Sequence, residues 1–154
     1  MDDISLKILR ILQEKARIPN VEVARQMDMA PSAVLERVRK LERQGIIDGY
    51  EVRLNPERFD RRLIAFVSVV VREQEKDQEL GTYFAGFEEV QEVHYVSGEN
   101  SYLLKLRMAD NAELYRFLQD KVVRMPGVMA TRTTQVLHTF KETAKLPLQN
   151  RVKK

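Results

Sequence analysis

The spacing of the apolar residues changes near Leu63, and this change divides the chain into two kinds of structure. Before that point, apolar residues recur three and four positions apart, which is typical of amphipathic helices. After it, LIAFVSVVV is rich in β-branched residues, and SYLLKLRM has apolar side chains at every second position, which favours strands. We therefore expect an α+β protein whose first part is helical and whose second part contains a sheet.

The first part of the chain is expected to hold three helices. Asp2 or Asp3 suits the start of the first helix, because a carboxylate caps a helix N-terminus and matches its dipole. Asn20 is the predicted N-cap of the second helix. The third begins at Pro31 and stops before Gly45, since glycine enters the left-handed region at little cost.

A short β-wing is expected after the third helix. Tyr50, Val52 and Leu54 alternate as they would in a strand, and the neighbouring pair DG favours a turn. Three helices, a tight turn between the second and third, and a wing indicate a winged helix–turn–helix domain over residues 1–54. In that arrangement the helix Pro31–Gln44 is the recognition helix.

The polar side of the predicted recognition helix carries residues suited to DNA contact. A helix that enters the major groove needs short side chains near its N-terminus, and arginine or lysine further along reaches phosphates or guanine edges. The candidate DNA-binding residues are Ser32, Ala33, Glu36, Arg37, Arg39 and Lys40. Arg37 and Lys40 are the preferred candidates. The alternative is pairing within the helix, for which Glu36 and Lys40 have the favourable spacing.

The second part of the chain is expected to be a ferredoxin-like domain over residues 63–141. Its predicted strands and helices follow the order β-α-β-β-α-β. Residues 55–62, NPERFDRR, form a short polar linker, and residues 142–154 form a basic tail. Because a ferredoxin-like unit leaves one face of its sheet without helices, we expect at least a homodimer.

Charge is distributed unevenly along the chain, whose net charge is +3. Residues 1–62 have a net charge of +2, and residues 63–140 have a net charge of −3. The last fourteen residues hold five basic side chains and one acidic side chain. A nucleic-acid surface in the first part fits this pattern, whereas a basic tail is also often only a solubilising end.

The residue inventory excludes several kinds of site. The chain has no cysteine, so disulfides and cysteine-based metal or redox sites are excluded. His94 and His138 have no metal-ligand spacing, and neither a nucleophile motif nor a phosphate loop is present, so we expect no enzyme, cofactor or metal. No apolar run reaches the ~18 residues of a membrane span. The start MDDISLKIL lacks a signal peptide's basic region, and a cytoplasmic protein without membrane contact is expected.

The chain resembles the Lrp/AsnC, or feast/famine, family of transcription regulators. The resemblance rests on the stretch from ILRILQEKARIPN through APSAVLERVRKLERQGIIDGYEVRLNP, and on SGENSYLLKL and MPGVMATRTTQVL. It implies a winged helix–turn–helix joined to a ferredoxin-like sensing domain. It also implies double-stranded DNA as a partner, dimers that assemble into octamers or related rings, and regulation by small molecules, commonly amino acids, bound between dimers.

The resemblance also assigns an effector site to the turn SGEN, residues 97–100, and to the last predicted strand. The matching residues are Gly98, Glu99, Asn100, Ser101, Tyr102, Thr131 and Thr133. Loop N–H groups and threonine hydroxyls suit an amino acid's carboxylate, and an acidic group suits its ammonium. The chain departs from the family in having Ser101 where an aspartate is usual and Ala30 where a capping serine is frequent. The alternative is that this loop serves only as a turn and an oligomer contact.

Two other functions are compatible with this layout. An architectural protein that coats DNA would show little sequence preference and a steep salt dependence. Some relatives with the same two domains decarboxylate a tetrapyrrole, and His94, His138, Arg107 and Arg132 are the residues available for such a reaction. No motif organises those four residues, so a sequence-specific DNA-binding regulator is the expected function.

Overall fold

The computed structural model describes residues 1–72, 78–98 and 100–148, which form two compact units. The N-terminal unit comprises Met1–Arg53 together with the C-terminal segment from Glu142 onward. The C-terminal unit comprises Leu54–Lys141. The C-terminal segment is therefore part of the helical unit, although the sheet precedes it in the chain.

Three helices build the N-terminal unit: α1 spans Asp3–Glu14, α2 spans Asn20–Met27 and α3 spans Pro31–Arg43. Asp2 is the N-cap of α1, and its Oδ1 accepts a hydrogen bond from the backbone N–H of Ser5 at 2.7 Å. The predicted acidic cap is therefore confirmed at Asp2. It satisfies one of the backbone donors that the first helical turn leaves without a partner.

The other two helices begin without a side-chain cap. Asn20 is the first residue of α2 and Pro19 is its N-cap, so the prediction that Asn20 caps this helix was wrong by one residue. Ala30 precedes Pro31 at the start of α3 and makes no capping hydrogen bond. At the other end of α3, Gly45 has φ +63°, which confirms the predicted glycine stop.

The predicted β-wing does not form as a strand. Residues 46–54 contain no strand, and the side chains of Tyr50, Val52 and Leu54 are all exposed. A strand is stable only when a neighbouring strand accepts and donates its backbone hydrogen bonds. The described residues of the N-terminal unit are helical or irregular, so this alternating segment has no strand to pair with. The hydroxyl of Tyr50 instead donates to Glu42 at 2.9 Å.

In its described residues, the C-terminal unit is a four-stranded antiparallel sheet with two α-helices, preceded by a short 3₁₀ helix over Pro56–Phe59. Its elements are β1 (Leu63–Val71), α4 (Gln78–Ala85), β2 (Val90–Val96), β3 (Ser101–Met108), α5 (Asn111–Phe117, continued by a π-helical turn over Leu118–Val123) and β4 (Val128–Gln135). The strand order is β2-β3-β1-β4. This order and the βαββαβ sequence of elements confirm the predicted ferredoxin-like arrangement.

Both helices pack on one face of that sheet. Alternate residues of the two central strands point to this face, because successive side chains in a strand point in opposite directions. Val67 and Leu104 are fully buried there against Phe84 of α4 and Phe117 of α5. The opposite face, which we call the open face, carries half-buried side chains such as Phe66, Ser68 and Leu103.

Candidate DNA-recognition surface and effector site

Helix α3 presents a polar surface because its apolar residues occupy only one side. Val34, Val38 and Leu41 are buried, and their spacing of four and three residues places them on one face. The predicted DNA-binding residues lie around the remainder of the helix. Ser32, Glu36, Arg39 and Lys40 are exposed, Ala33 is half-buried, and Arg37 is half-buried at the edge of the apolar face.

The ion pair within α3 that the sequence offered as an alternative, between Glu36 and Lys40, does not form. Glu36 and Lys40 are both described by the structure, and they form no ion pair with each other. Both side chains therefore stay available to a partner outside the helix. This arrangement is compatible with DNA contact near the N-terminal half of α3.

Arg37 is held by a residue outside its own helix. Its Nη1 donates to Oδ2 of Asp2 at 2.7 Å, and the same atom lies 3.4 Å from the hydroxyl oxygen of Ser5. The sequence offered no signal for this contact, because 35 positions separate the two charged residues. A guanidinium has donors on three nitrogens, so the pairing through Nη1 leaves others to face a ligand.

The carboxyl group of Asp2 is correspondingly perturbed. The hydrogen bond from the Ser5 backbone lowers the pKa of Asp2 well below its ordinary value, and the hydrogen bond from Arg37 lowers it further. Both partners stabilise the ionised form, because they donate to the negatively charged oxygens. Asp2 thus stays charged and keeps Arg37 in place throughout the neutral pH range.

The β2–β3 turn is open at its apex. Gly98 has φ +110°, and a Cβ added there would meet no atom within 4 Å. The turn is fastened on its β3 side, where the carbonyl of Asn100 accepts from the Val71 N–H at 2.8 Å. The hydroxyl of Tyr95 donates to Oδ1 of Asn100 at 3.3 Å. Glu99, the predicted acidic residue of this turn, lies outside the described residues.

The two residues that follow the turn are buried. Ser101 is 3% exposed and Tyr102 is 4% exposed, and they point to opposite faces of β3. The ring of Tyr102 makes edge contacts with Phe84 and Tyr95, with centroids 6.0 and 5.3 Å apart. Gly81 of α4 leaves room for this ring, since a Cβ there would lie 3.1 Å from Cε1 of Tyr102. In this structure Tyr102 is therefore a core residue.

The predicted effector residues of β4 lie in the same region of the sheet but not beside the turn. Val69 of β1 pairs with Tyr102 on one side and with Thr131 on the other, so all three share one cross-strand row. Neighbouring strands are about 4.8 Å apart, so two spacings of about 10 Å in total separate Tyr102 from Thr131. Thr133 lies further along β4 and is exposed. Within one protomer, these residues therefore lie on the same sheet but do not contact one another.

A polar cluster on the open face was missed by the sequence analysis. Glu92 lies 3.2 Å from Nε2 of His94, and Lys105 donates to its other oxygen at 3.0 Å. The Lys105 contact, followed by the His94 contact, lowers the pKa of the Glu92 carboxyl. The available signal was the two-residue spacing of Glu92 and His94 on a strand, which places both on one face.

His94 and Arg132, two of the four residues considered for tetrapyrrole chemistry, do not lie together. His94 lies on β2 and Arg132 lies on β4, and these strands form opposite edges of the sheet. Three strand spacings of about 14 Å in total separate them. Within the ranges that the structure describes, no cluster of three or more His, Asp or Glu side chains could hold a metal ion.

None of the described helices is both long enough and apolar enough to cross a membrane.

Two family models match this chain. The Lrp/AsnC ligand binding domain matches residues 64–146, and a winged helix-turn-helix DNA-binding model matches residues 1–48. The leucine-responsive regulatory protein of Haemophilus influenzae is 40% identical over 151 residues, which cover 97% of this chain and 91% of that protein.

Solved structures give the same result. A transcriptional regulator from Neisseria meningitidis, in complex with L-methionine, has a TM-score of 0.91 and 31% identity and covers 96% of both chains. A feast or famine regulatory protein from M. tuberculosis, complexed with L-methionine, has a TM-score of 0.83 and 32% identity, with 94% of this chain and 97% of that chain covered. These similarities confirm the family, fold class and non-enzymatic function predicted from the sequence: the chain belongs to the Lrp/AsnC family and is a DNA-binding, ligand-modulated transcription regulator.

Proposed function

We propose that this regulator reads double-stranded DNA with the exposed side of α3 and responds to an amino acid bound at the turn end of its sheet. The observation that carries the DNA-binding part is the division of α3 into one buried apolar face and one face without ion pairs between its own charged residues. A helix with a buried face and an exposed basic face is suited to enter a groove.

The candidate DNA-binding residues have different proposed roles. Ser32 and Ala33 permit close approach, and Glu36 and Lys40 face base edges. Arg39 contacts phosphate, where a contact positions the helix without reading sequence. Arg37 keeps its Nη1 bond to Asp2 and offers its other donors to the DNA. These six residues belong to the winged helix–turn–helix domain, proposed as residues 1–54.

Assembly beyond the single chain is also part of the proposal. The open face of the sheet carries Phe66 and Leu103, which are half-buried in one protomer. Pairing of this face with a second copy would complete their burial and give a homodimer of the 63–141 domain. We propose that these dimers associate further into an octamer or similar ring. In each chain, the linker 55–62 joins the 63–141 domain to the DNA-binding domain. The proposed location of the protein is the cytoplasm.

The proposed effector class is a hydrophobic amino acid. Two solved relatives were obtained with L-methionine, and one relative is named a leucine-responsive regulator. In this chain the open turn around Gly98 offers backbone N–H groups for a carboxylate, and Thr131 and Thr133 offer hydroxyls. Since Tyr102 and Thr131 lie on different strands and do not touch, a ligand between copies can use the turn of one and the strand of another.

A thermal-shift screen against all twenty amino acids, with light scattering on each hit, tests the effector proposal. We expect methionine or leucine to raise the midpoint and to change the assembly. The matched variants are Thr131→Val, which removes a hydroxyl on the helix side of β4, and Thr134→Val, which removes one on the other side. We expect Thr131→Val to lose the ligand-induced shift of the thermal midpoint and Thr134→Val to keep it. A flat screen for the wild type, or equal responses of the two variants, contradicts the effector proposal.

Sequence-specific DNA binding has a separate test. Fluorescence anisotropy compares the duplex upstream of the protein's own gene with a scrambled duplex of the same length and composition, in the same salt. A specific regulator should bind the first duplex tighter by a factor of roughly 10³ or more. Similar affinities for both duplexes would favour the architectural function instead.

A further inference from the structure

The four strands of the sheet, all of which the structure describes, hold one acidic side chain and three lysine or arginine side chains. The acid is Glu92 on β2, and the bases are Lys105 and Arg107 on β3 and Arg132 on β4. The strand register places all four on the open face, in rows with residues such as Phe66. An interface that buries the open face therefore also has to accommodate these charges.

Two of the three cations have acceptors within the same protomer. Lys105 donates to Oε1 of Glu92 at 3.0 Å. Arg107 donates from Nε to Oε1 of Gln91 at 3.1 Å, and from Nη1 to the Arg61 carbonyl at 3.2 Å. A charge that keeps hydrogen-bonded partners enters an interface at a smaller cost than a charge without them.

Arg132 has no such acceptor. Among the residues that the structure describes, its guanidinium makes no hydrogen bond and no ion pair. Three strand spacings of about 14 Å in total separate Arg132 from Glu92, because β4 and β2 are opposite edges of the sheet. When the open face is buried, Arg132 therefore needs an acceptor from outside its own chain, since an unpaired buried charge is costly.

Glu92 is able to accept a further donor. Its side chain is 45% exposed, although Lys105 contacts one of its oxygens and His94 contacts the other. A carboxylate offers about four lone-pair positions, so these two contacts leave positions free. Because Glu92 is the only acidic residue in the four described strands, it is the acidic group that a second sheet brings to Arg132.

The opposite-edge positions of Arg132 and Glu92 distinguish two ways of facing two sheets. Identical faces pair about a two-fold axis that lies between them. An axis along the strands places β2 of one copy opposite β4 of the other, which brings opposite charges together at both edges. An axis across the strands places each strand opposite its own copy, which gathers the arginines at one edge and the glutamates at the other. Like charges facing each other in an interface are unfavourable.

The register of the sheet sets how near the two side chains come. His94, Leu103, Ser68 and Arg132 share one cross-strand row, which runs from β2 to β4. Packed sheets keep their strands within about 30° of each other, so an axis along the strands places a row opposite the same row of the second copy. Arg132 then faces His94, and Glu92 lies two residues, or about 7 Å, further along β2. Two long side chains bridge such a diagonal offset.

We propose that two copies pair through their open faces about an axis along the strands, with Arg132 of each protomer bound to Glu92 of the other. This inference rests on the homodimer proposed above, and it adds which strands face each other and which side chains decide the arrangement. By symmetry the dimer holds two such pairs, one at each edge. Phe66 and Leu103, which lie on the two central strands, pack between them.

A double-mutant cycle on the full chain tests the pair. Sedimentation velocity over a dilution series gives the dimer dissociation constant of wild type, Arg132→Gln, Glu92→Gln and the double variant. Arg132→Gln should raise this constant about tenfold or more in the wild-type background, and should leave it nearly unchanged when Glu92 is already replaced. No increase in wild type, or equal increases in both backgrounds, overturns the proposal.

A matched control separates the pair from net charge. Arg116 is exposed on α5, away from the open face, and Arg116→Gln removes the same charge as Arg132→Gln. We expect the Arg116 variant to keep the wild-type dissociation constant. An equal increase in the two single variants shows a general charge effect and overturns the proposal.

Cross-linking tests the arrangement independently. The chain has no cysteine, and Val96 and Ala130 share a row at opposite edges of the open face. A bismaleimide whose arm matches the ~10 Å between packed sheets should join Val96→Cys to Ala130→Cys when the two variants are co-expressed, and should join neither variant to itself. Denaturing electrophoresis detects the covalent dimer. Cross-linking of each variant to itself, or no cross-link in the mixed dimer, overturns the proposal.

These outcomes are distinguishable from failure of the homodimer proposal. If Phe66→Lys dissociates the protein while Arg132→Gln assembles like wild type, the open face is an interface, and only the pairing of Arg132 with Glu92 is overturned. A wild-type protein that sediments as a monomer overturns both proposals.

Discussion

Nη1 of Arg37 lies 2.7 Å from Oδ2 of Asp2, so α3, the proposed recognition helix, is joined to the residue that caps α1. The other oxygen of the same carboxylate accepts from the Ser5 N–H. One aspartate therefore caps the first helix and also holds a charged side chain of the proposed DNA-binding surface. Changes at Asp2 should affect both the stability of the unit and the presentation of α3.

The Asp2 contacts should produce an acid-dependent loss of stability. Because the pKa of Asp2 is lowered in the folded protein, its ionised form stabilises the fold at pH values above the ordinary pKa of 3.8. This contribution is lost progressively as the pH falls below that value, since the unfolded chain then binds more protons. Asp2→Asn still offers a capping oxygen and cannot ionise. Urea unfolding at several pH values should show wild type more stable than the variant at neutral pH, with the difference shrinking below pH 3.8. A constant difference contradicts this role.

Removal of the Arg37 side chain and removal of the Lys40 side chain should have different effects on thermal stability. Lys40→Ala should weaken DNA binding and leave the thermal midpoint unchanged, because Lys40 is exposed and forms no ion pair with Glu36. Because Lys40 is proposed to face base edges, its removal should also reduce the discrimination between the specific and the scrambled duplex, by roughly 1–3 kcal/mol. Arg37→Ala should lower both affinity and thermal midpoint, because it also breaks the contact with Asp2. Anisotropy and differential scanning fluorimetry measure the two effects. A Lys40→Ala protein with wild-type affinity would show that Lys40 does not belong to the proposed DNA-binding surface.

Gly98→Ala should disturb the β2–β3 turn through the backbone. At φ +110° an alanine is strained, with a cost on the order of 1–3 kcal/mol in the free energy of unfolding, although no atom stands in the way of its Cβ. Gly49→Ala is the matched control, because its Cβ also meets no atom and its φ is not positive. Its effect should stay within about 0.5 kcal/mol. Chemical denaturation compares the two, and equal small effects would show that the turn adapts to a side chain.

The open face of the sheet should hold protomers together. Phe66→Lys places a charge on that face, and it should lower the molecular mass measured by light scattering, because an unpaired charge is costly to bury in an interface. Tyr115→Lys is the control, since Tyr115 is an exposed residue of α5 on the other side of the unit. The control should assemble like wild type. If Phe66→Lys does so too, protomers associate through another surface.

The chain's regular elements were largely predictable from local patterns. The strand LIAFVSVVV, the glycine stop at Gly45 and the acidic cap at Asp2 were confirmed because each depends on residues within a few positions of one another. The strand predicted around Val52 failed for the opposite reason. A strand requires a partner, and the described part of the N-terminal unit provides none.

The residue types of α3 and their helical spacing already indicated a basic surface for DNA, and the resemblance of longer stretches indicated the family. Only the tertiary structure decided which residues distant in the chain contact one another. It paired Arg37 with Asp2, buried Tyr102 beneath α4, and attached Leu146 to Gln13, 133 positions away. Periodicity determines which face of an element is apolar, because it follows from backbone geometry. It carries no information about which distant polar groups meet, since those distances are set only when the elements pack.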